Sequence, residues 1–241
     1  MFRRVSGVKC NDASVLNDAV KLAKCVKENS RDLSYTAAIL ERTMGVYAES
    51  GDPGPFMTAL GSLLMSSVDM TLTAVVNVLS RQYAELPPEL LQIFTNIVGS
   101  ASIIRRASEI GVRLPKPVVS SLVSGMGCYD LMSLLYMFHE RAPDKIVLLE
   151  FVKKALKSPW CAGLREEAIK LLGQALLYRT VSVEDIKEVF KDTKVRIIIK
   201  RKNGVTVSVK MYIGNEVVGD ENSPYVMDFV MAAVKSGLIS M

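Results

Sequence analysis

Lys194-Val195-Arg196-Ile197-Ile198-Ile199-Lys200-Arg201-Lys202-Asn203-Gly204-Val205-Thr206-Val207-Ser208-Val209-Lys210-Met211-Tyr212-Ile213 is the stretch where apolar residues recur at every second position. Upstream of it the apolar spacing is three to four, helix after helix. Period two rich in β-branched residues marks strands, so this segment predicts a β-hairpin attached to a helical protein. Asn203-Gly204 first suits a two-residue type I′ turn. That register sets Lys200 opposite Val207 and puts the two apolar rows on opposite faces. A three-residue loop, Lys202-Asn203-Gly204, pairs Ile199 with Val207 and Ile197 with Val209, with Gly204 in the left-handed position of a bulge. The bulged loop is expected, because a slip of one residue exposes a whole apolar row. The inner face then carries Val195, Ile197, Ile199, Val207 and Val209. The outer face carries Arg196, Lys200, Lys202 and Lys210 with Tyr212 among them. Cations beside an aromatic on a sheet face are suited to phosphates and a stacked base. The commoner role of lysines on an exposed hairpin is to shield a strand edge from other chains, and an acidic protein partner is the remaining reading.

The rest of the chain predicts a mainly α protein, a multi-helix bundle or irregular α-solenoid of about ten helices, over residues 1–192. Residues 193–241 form a small β-hairpin plus terminal helix, docked on the helices or on another subunit because so short an appendage buries little alone. Val15, Ala19, Leu22 and Val26 form one helical stripe, and Leu33, Ala37, Leu40, Met44 and Tyr47 the next. Apolar helices follow over about Phe56–Met65 and Met70–Arg81. A longer one runs from Leu86-Pro87-Pro88-Glu89 to Ile110. Val118–Val123 and Leu131–His139 flank Gly125-Met126-Gly127. Pro143 opens a helix to about Lys157, and Ser182-Val183-Glu184-Asp185 reads as a capping box opening another. Glu216–Val218 reads as a short third strand, and Ser223-Pro224 caps the last helix to about Lys235.

Leu164, Ala168, Leu171, Leu172, Ala175 and Leu176 give the cleanest stripe of all. Arg165-Glu166-Glu167-Ala168-Ile169-Lys170-Leu171-Leu172-Gly173-Gln174-Ala175-Leu176 resembles the second helix of a HEAT repeat, with a charged opening before an Ala and a Leu-Gly pair. The resemblance covers about a dozen residues. It implies an α-solenoid whose surface binds another macromolecule.

Charge is sparse from Asp52 to Glu140 and dense from Arg141 to Lys202. Thr58, Ser62 and Ser66 line one helix and Thr73, Asn77 and Ser80 another, as small uncharged rows that suit a buried layer or an interface depleted of charge. Asp69 is the one charge between Phe56 and Ser80, but Ser66-Ser67-Val68-Asp69 divides that run into two helices too short to span a bilayer, so no membrane span is expected.

Few catalytic constellations fit. Gly125-Met126-Gly127 lacks the third glycine of a dinucleotide fingerprint and follows no strand. His139 is the one histidine, and would need a carboxylate such as Asp144 to serve as a base. Cys10, Cys25, Cys128 and Cys161 lack metal-ligand or redox spacing and read as reduced, mostly buried thiols of a cytoplasmic protein. Met1-Phe2-Arg3-Arg4 is followed by polar residues, so no signal peptide and a cytoplasmic protein are expected. Trp160 reads as a cap over the core or an interface anchor. With 241 residues, a net charge of +5, no cofactor expected and no catalytic motif, the leading expectation is a non-catalytic interaction or scaffold protein, self-associating or binding a protein partner. The alternative is a nucleic-acid binder using Arg196, Lys200, Lys202, Lys210 and Tyr212, joined by Arg105, Arg106 and Arg113. An enzyme with a site built from scattered residues is the third class.

Overall fold

The computed structural model describes residues 10, 12–29, 32–82, 86–161 and 163–239. Met1 to Arg4, on which the signal-peptide reading rests, lie outside them. The described residues form thirteen helices and one three-stranded sheet, the mainly α fold expected. The helices are α1 (Ala13–Leu16), α2 (Ala19–Asn29), α3 (Leu33–Ser50), α4 (Gly54–Ser66), α5 (Val68–Gln82), α6 (Pro88–Val98), α7 (Ser100–Glu109), α8 (Lys116–Ser124), α9 (Cys128–Glu140), α10 (Lys145–Leu156), α11 (Leu164–Leu177), α12 (Val183–Thr193) and α13 (Pro224–Lys235). The strands β1 (Val195–Lys202), β2 (Val205–Ile213) and β3 (Glu216–Asp220) stand between α12 and α13, in the order β1-β2-β3. The chain divides into two compact units, residues 1–125 and 126–241. The sheet and α13 therefore belong with α9–α12, whereas the sequence reading drew its boundary at 192.

In the first unit α4 packs on α2, α3 and α5, and α7 joins α5, α6 and α8. Phe56 and Phe94 meet edge to face at 5.0 Å in its core. Ser66 ends α4 and Val68 opens α5, as the polar break at Ser66-Ser67 predicts. The helix expected from Leu86 to Ile110 is two. Gly99 at φ 87°, ψ 131° interrupts it between α6 and α7, a left-hand-side backbone that glycine adopts without a Cβ penalty.

In the second unit α10 contacts α9, α11 and α12, while α13 lies along α11. Gly173 permits the α11–α13 approach: a Cβ there would stand 3.3 Å from the Phe229 Cα. Gly173 of the Leu172-Gly173 pair thus serves close packing on the terminal helix. Ser182 accepts from the Asp185 N–H and Asp185 from the Ser182 N–H, the capping box expected at the start of α12. Lys153 of α10 reaches Asp192 at 2.8 Å and Glu188 and Glu150 at 3.6 Å, which pins the acidic side of α12 to α10.

The cysteines overturn the reduced-thiol reading. Cys10 is bonded to Cys25 and Cys128 to Cys161, and no described cysteine is free. Each pair is separated by 15 or 33 positions, so proximity comes from packing and leaves no spacing signature in the sequence. The argument for a cytoplasmic location that rested on reduced thiols falls with them, since disulfides are rare in most cytosols.

Candidate functional site

The hairpin keeps the expected faces with a different device. Asn203 (φ 52°) and Gly204 (φ 79°) both lie in the left-handed region, as a two-residue type I′ turn requires, and Lys202 pairs with Val205. The extra residue lies in β2: the register shifts between Lys200 and Arg201, leaving Val207 without a partner across the ladder. Ile199 therefore faces Val209 and Ile197 faces Met211, two residues away from the expected pairing. An offset of two preserves which side each residue faces, so Ile197 and Ile199 still share the inner face with Val209. Val207, expected on that face, is 53% exposed. The turn won because Asn203-Gly204 accepts two left-handed residues while its twist matches the strands; the bulge then restored the apolar face.

The outer face brings together the residues singled out from the sequence. Arg196 stands opposite Tyr212, its guanidinium carbon 5.6 Å from the ring centroid, and donates to the Gly214 carbonyl at 2.8 Å. Lys200 faces Ser208, Lys202 faces Val205, and Lys210 lies between Ile198 and Asp220. Glu221 accepts from the Val209 N–H at 3.0 Å; backbone hydrogen bonds to its carboxylate, with the Lys210 charge adding, hold it below the usual glutamate range. Tyr212 is thus engaged by Arg196, and Lys210 is flanked by two carboxylates. Arg105, Arg106 and Arg113 belong to the first unit. Arg106 bridges helices there, its Nε donating to Thr73 Oγ1 at 2.8 Å and its Nη1 lying 3.0 Å from Glu109.

The inner side of β1 holds what the sequence did not show. Val195, Val209 and Met211 are buried, whereas Ile197 and Ile199 are half-buried. They line a groove of about 570 Å³ with Phe190, Leu238 and Ile239, and with Lys187 and Arg201. A neighbouring cleft has the cations Lys191, Lys194 and Arg196 in its lining, with Phe190 and Asn215. Lys187 and Lys191 recur at i and i+4 on a side of α12 turned from the acidic residues that hold Lys153, and Lys194 caps the helix end. Segregation of charge on α12 was legible in that spacing; its alignment with β1 was not.

The remaining candidates from the sequence stand apart from this strand. His139 is exposed and forms no hydrogen bond or ion pair among the described residues, while Asp144 caps α10 by accepting from the Ile146 N–H. Cys128 and Cys161 are bonded to each other and are not available as nucleophiles. Among the described residues no cluster of metal-ligating side chains and no helix long and apolar enough to cross a membrane occurs. The small polar rows are half-buried except for exposed Ser66, and four of their hydroxyls turn to their own helix: Ser62 donates to the Thr58 carbonyl, Ser66 to that of Ser62, Thr73 to that of Asp69 and Ser80 to that of Asn77. Trp160 is exposed rather than a cap, and with Tyr129 it flanks the Cys128–Cys161 bond. No family model, no curated protein and no solved structure matches the chain.

Proposed function

We propose that the chain is a non-catalytic interaction protein that binds a protein partner through the β1 side of its second unit. The observation that carries this reading is the half-open apolar strip of Ile197 and Ile199 beside Phe190, bordered by Lys187 and Arg201, which have no acidic partner among the described residues. Aliphatic floor with charged rim is the composition of a protein-binding patch. The HEAT-like character of α11 and the exposed Trp160 and Tyr129 accord with it. The test places a photoreactive p-benzoylphenylalanine at Ile199 in the full chain, in extract of cells that express it, with and without nuclease treatment. A discrete polypeptide adduct, absent when the probe stands at exposed Lys116, supports the reading. Adducts that vanish with nuclease overturn it.

A nucleic-acid partner is the second reading, favoured by the shared outer face of Arg196, Lys200, Lys202 and Lys210. Titration of mixed-sequence oligonucleotides at two salt concentrations, beside a variant with all four changed to Ser, decides it. Salt-sensitive binding lost in the variant supports phosphate contact by these residues.

A further inference from the structure

We infer that β1 is a docking edge that takes up an acidic, extended segment of a partner protein as a fourth strand of the sheet; this rests on the protein-partner reading above. β1 is an outer strand, paired with β2 alone. The Gly214 N–H donates to the Lys194 carbonyl at 3.0 Å, which fixes the phase of the ladder. In the observed register, Arg196, Ile198 and Lys200 exchange hydrogen bonds with β2. The N–H and C=O groups of Val195, Ile197 and Ile199 point the other way, out of the sheet. Among the described residues no backbone group meets them.

An open edge on its own is a common feature that proteins blunt with charge. Here the side chains beneath it are a receptor as well. Ile197 and Ile199 end in the groove walled by Phe190 and by Leu238 and Ile239, so every second side chain of an added strand would enter an aliphatic slot. Lys187 stands on the helical wall and Arg201 at the turn end of the strand. On the opposite face the added strand would meet Arg196 and Lys200. Its face toward Arg196 and Lys200 therefore wants acidic residues and its face toward the groove aliphatic ones, while Lys187 and Arg201 add to the attraction for an acidic strand as a whole.

Charge also selects the occupant. A second copy adding its own β1 antiparallel about Ile198 would set Arg196 opposite Lys200 twice, and like charges directly opposite destabilise a ladder. A nucleic acid would find no aromatic platform in the groove beyond Phe190, whose ring already lies 5.4 Å from that of Phe229, and Tyr212 outside is covered by Arg196. An acidic peptide satisfies the free backbone groups, the slot and the cations together.

The probe is a fluorescein-labelled, acetylated and amidated heptapeptide, Glu-Val-Asp-Val-Glu-Val-Asp, titrated by anisotropy into the full chain. Two N-methylated forms accompany it, one methylated on the valines and one on the acids. Strand addition uses only alternate peptide N–H groups, so one form is expected to bind at least tenfold more weakly than the parent and the other to match it. A Lys187→Glu, Arg201→Glu variant with an unchanged circular dichroism spectrum is expected to lose at least tenfold. Binding that both N-methylated forms retain or both lose equally overturns strand addition while leaving a protein-binding patch in place. No binding of the parent peptide at millimolar concentration overturns the inference. Tighter binding of a single-stranded oligonucleotide of equal charge, displaced by neither Glu substitution, overturns it together with the protein-partner reading.

Discussion

Substituting alanine for Gly219 tests the closest packing around any described glycine of the second unit. A Cβ on this residue would stand 2.5 Å from Val226 Cγ2, 2.9 Å from the Tyr225 hydroxyl and 3.1 Å from Ser223 Oγ. Ordinary carbon–carbon contact is about 3.5–4.0 Å, so the overlap with Val226 is about an ångström. Gly219 is outside the left-handed region, and the penalty is steric alone. None of the three atoms can step aside freely. Val226 is fully buried, and a β-branched side chain on a helix has essentially one rotamer. The Tyr225 hydroxyl donates to the Val218 carbonyl at 2.5 Å, and Ser223 Oγ accepts from the Asp220 N–H at 3.1 Å. The methyl enters only if the first turn of α13 moves off β3. Overpacking costs about 1–3 kcal/mol, and loss of the Tyr225 hydrogen bond adds about 1 kcal/mol. The sum, about 2–4 kcal/mol, lowers the urea midpoint by about 1–2 M at a slope of about 2 kcal/mol/M. Tyr225→Phe removes one of the clashing atoms and the hydrogen bond, costing about 1 kcal/mol. The double variant is then expected to fall short of the sum of the singles. A Gly219→Ala protein within about 0.5 kcal/mol of the parent would refute the α13–β3 packing described above.

Three further outcomes are expected. Denatured, unreduced protein should show no titratable thiol; loops of 15 and 33 positions correspond to about 3–4 kcal/mol of stabilisation per bond, lost in Cys10→Ser or Cys128→Ser variants. Four reactive thiols would remove both bridges. Burial opposes the charge on Lys153, yet the Asp192 hydrogen bond and the charges of Glu150, Asp192 and Glu188 outweigh it and hold the ammonium above the usual lysine range. A raised value means stability present below the unfolded pKa and lost as pH rises through the folded one; Lys153→Met should cost about 1–2 kcal/mol at pH 7 and abolish that alkaline loss. A pH–stability curve unchanged above pH 10 in the variant would count against it. Asp185 is held below the usual aspartate range: burial pushes it up, but hydrogen bonds from Lys145 and Ser182 prevail. Its contribution is present above the unfolded pKa and lost as pH falls through the folded value, so Asp185→Asn should flatten the acid limb of a thermal-melt series. An acid limb as steep as the parent's would contradict that role.

Local order was legible because it repeats along the chain. The 3.6-residue stripes of α2, α3 and α11, the Ser182 cap and the alternation of β1 and β2 each depend on neighbours a few positions apart. The sidedness of the hairpin below the bulge survived a wrong turn, since an offset of two leaves Ile197, Ile199 and Val209 on their face, while Val207 left it. The five residues chosen from the hairpin do gather on one sheet face, but only three dimensions show Tyr212 beneath Arg196 and Asp220 beside Lys210.

What the sequence determined by itself is the class of the fold, the chemistry carried by each helix and strand, and the placing of cations along β1. Tertiary structure alone decided the pairing of the four cysteines, the grouping of the sheet with α9–α13, the close approaches at Gly173 and Gly219, and the alignment of the basic side of α12 with the open edge of β1. These depend on which surfaces meet across dozens of positions. Such meetings are selected by the shape and burial of whole elements, and they write no period into the chain.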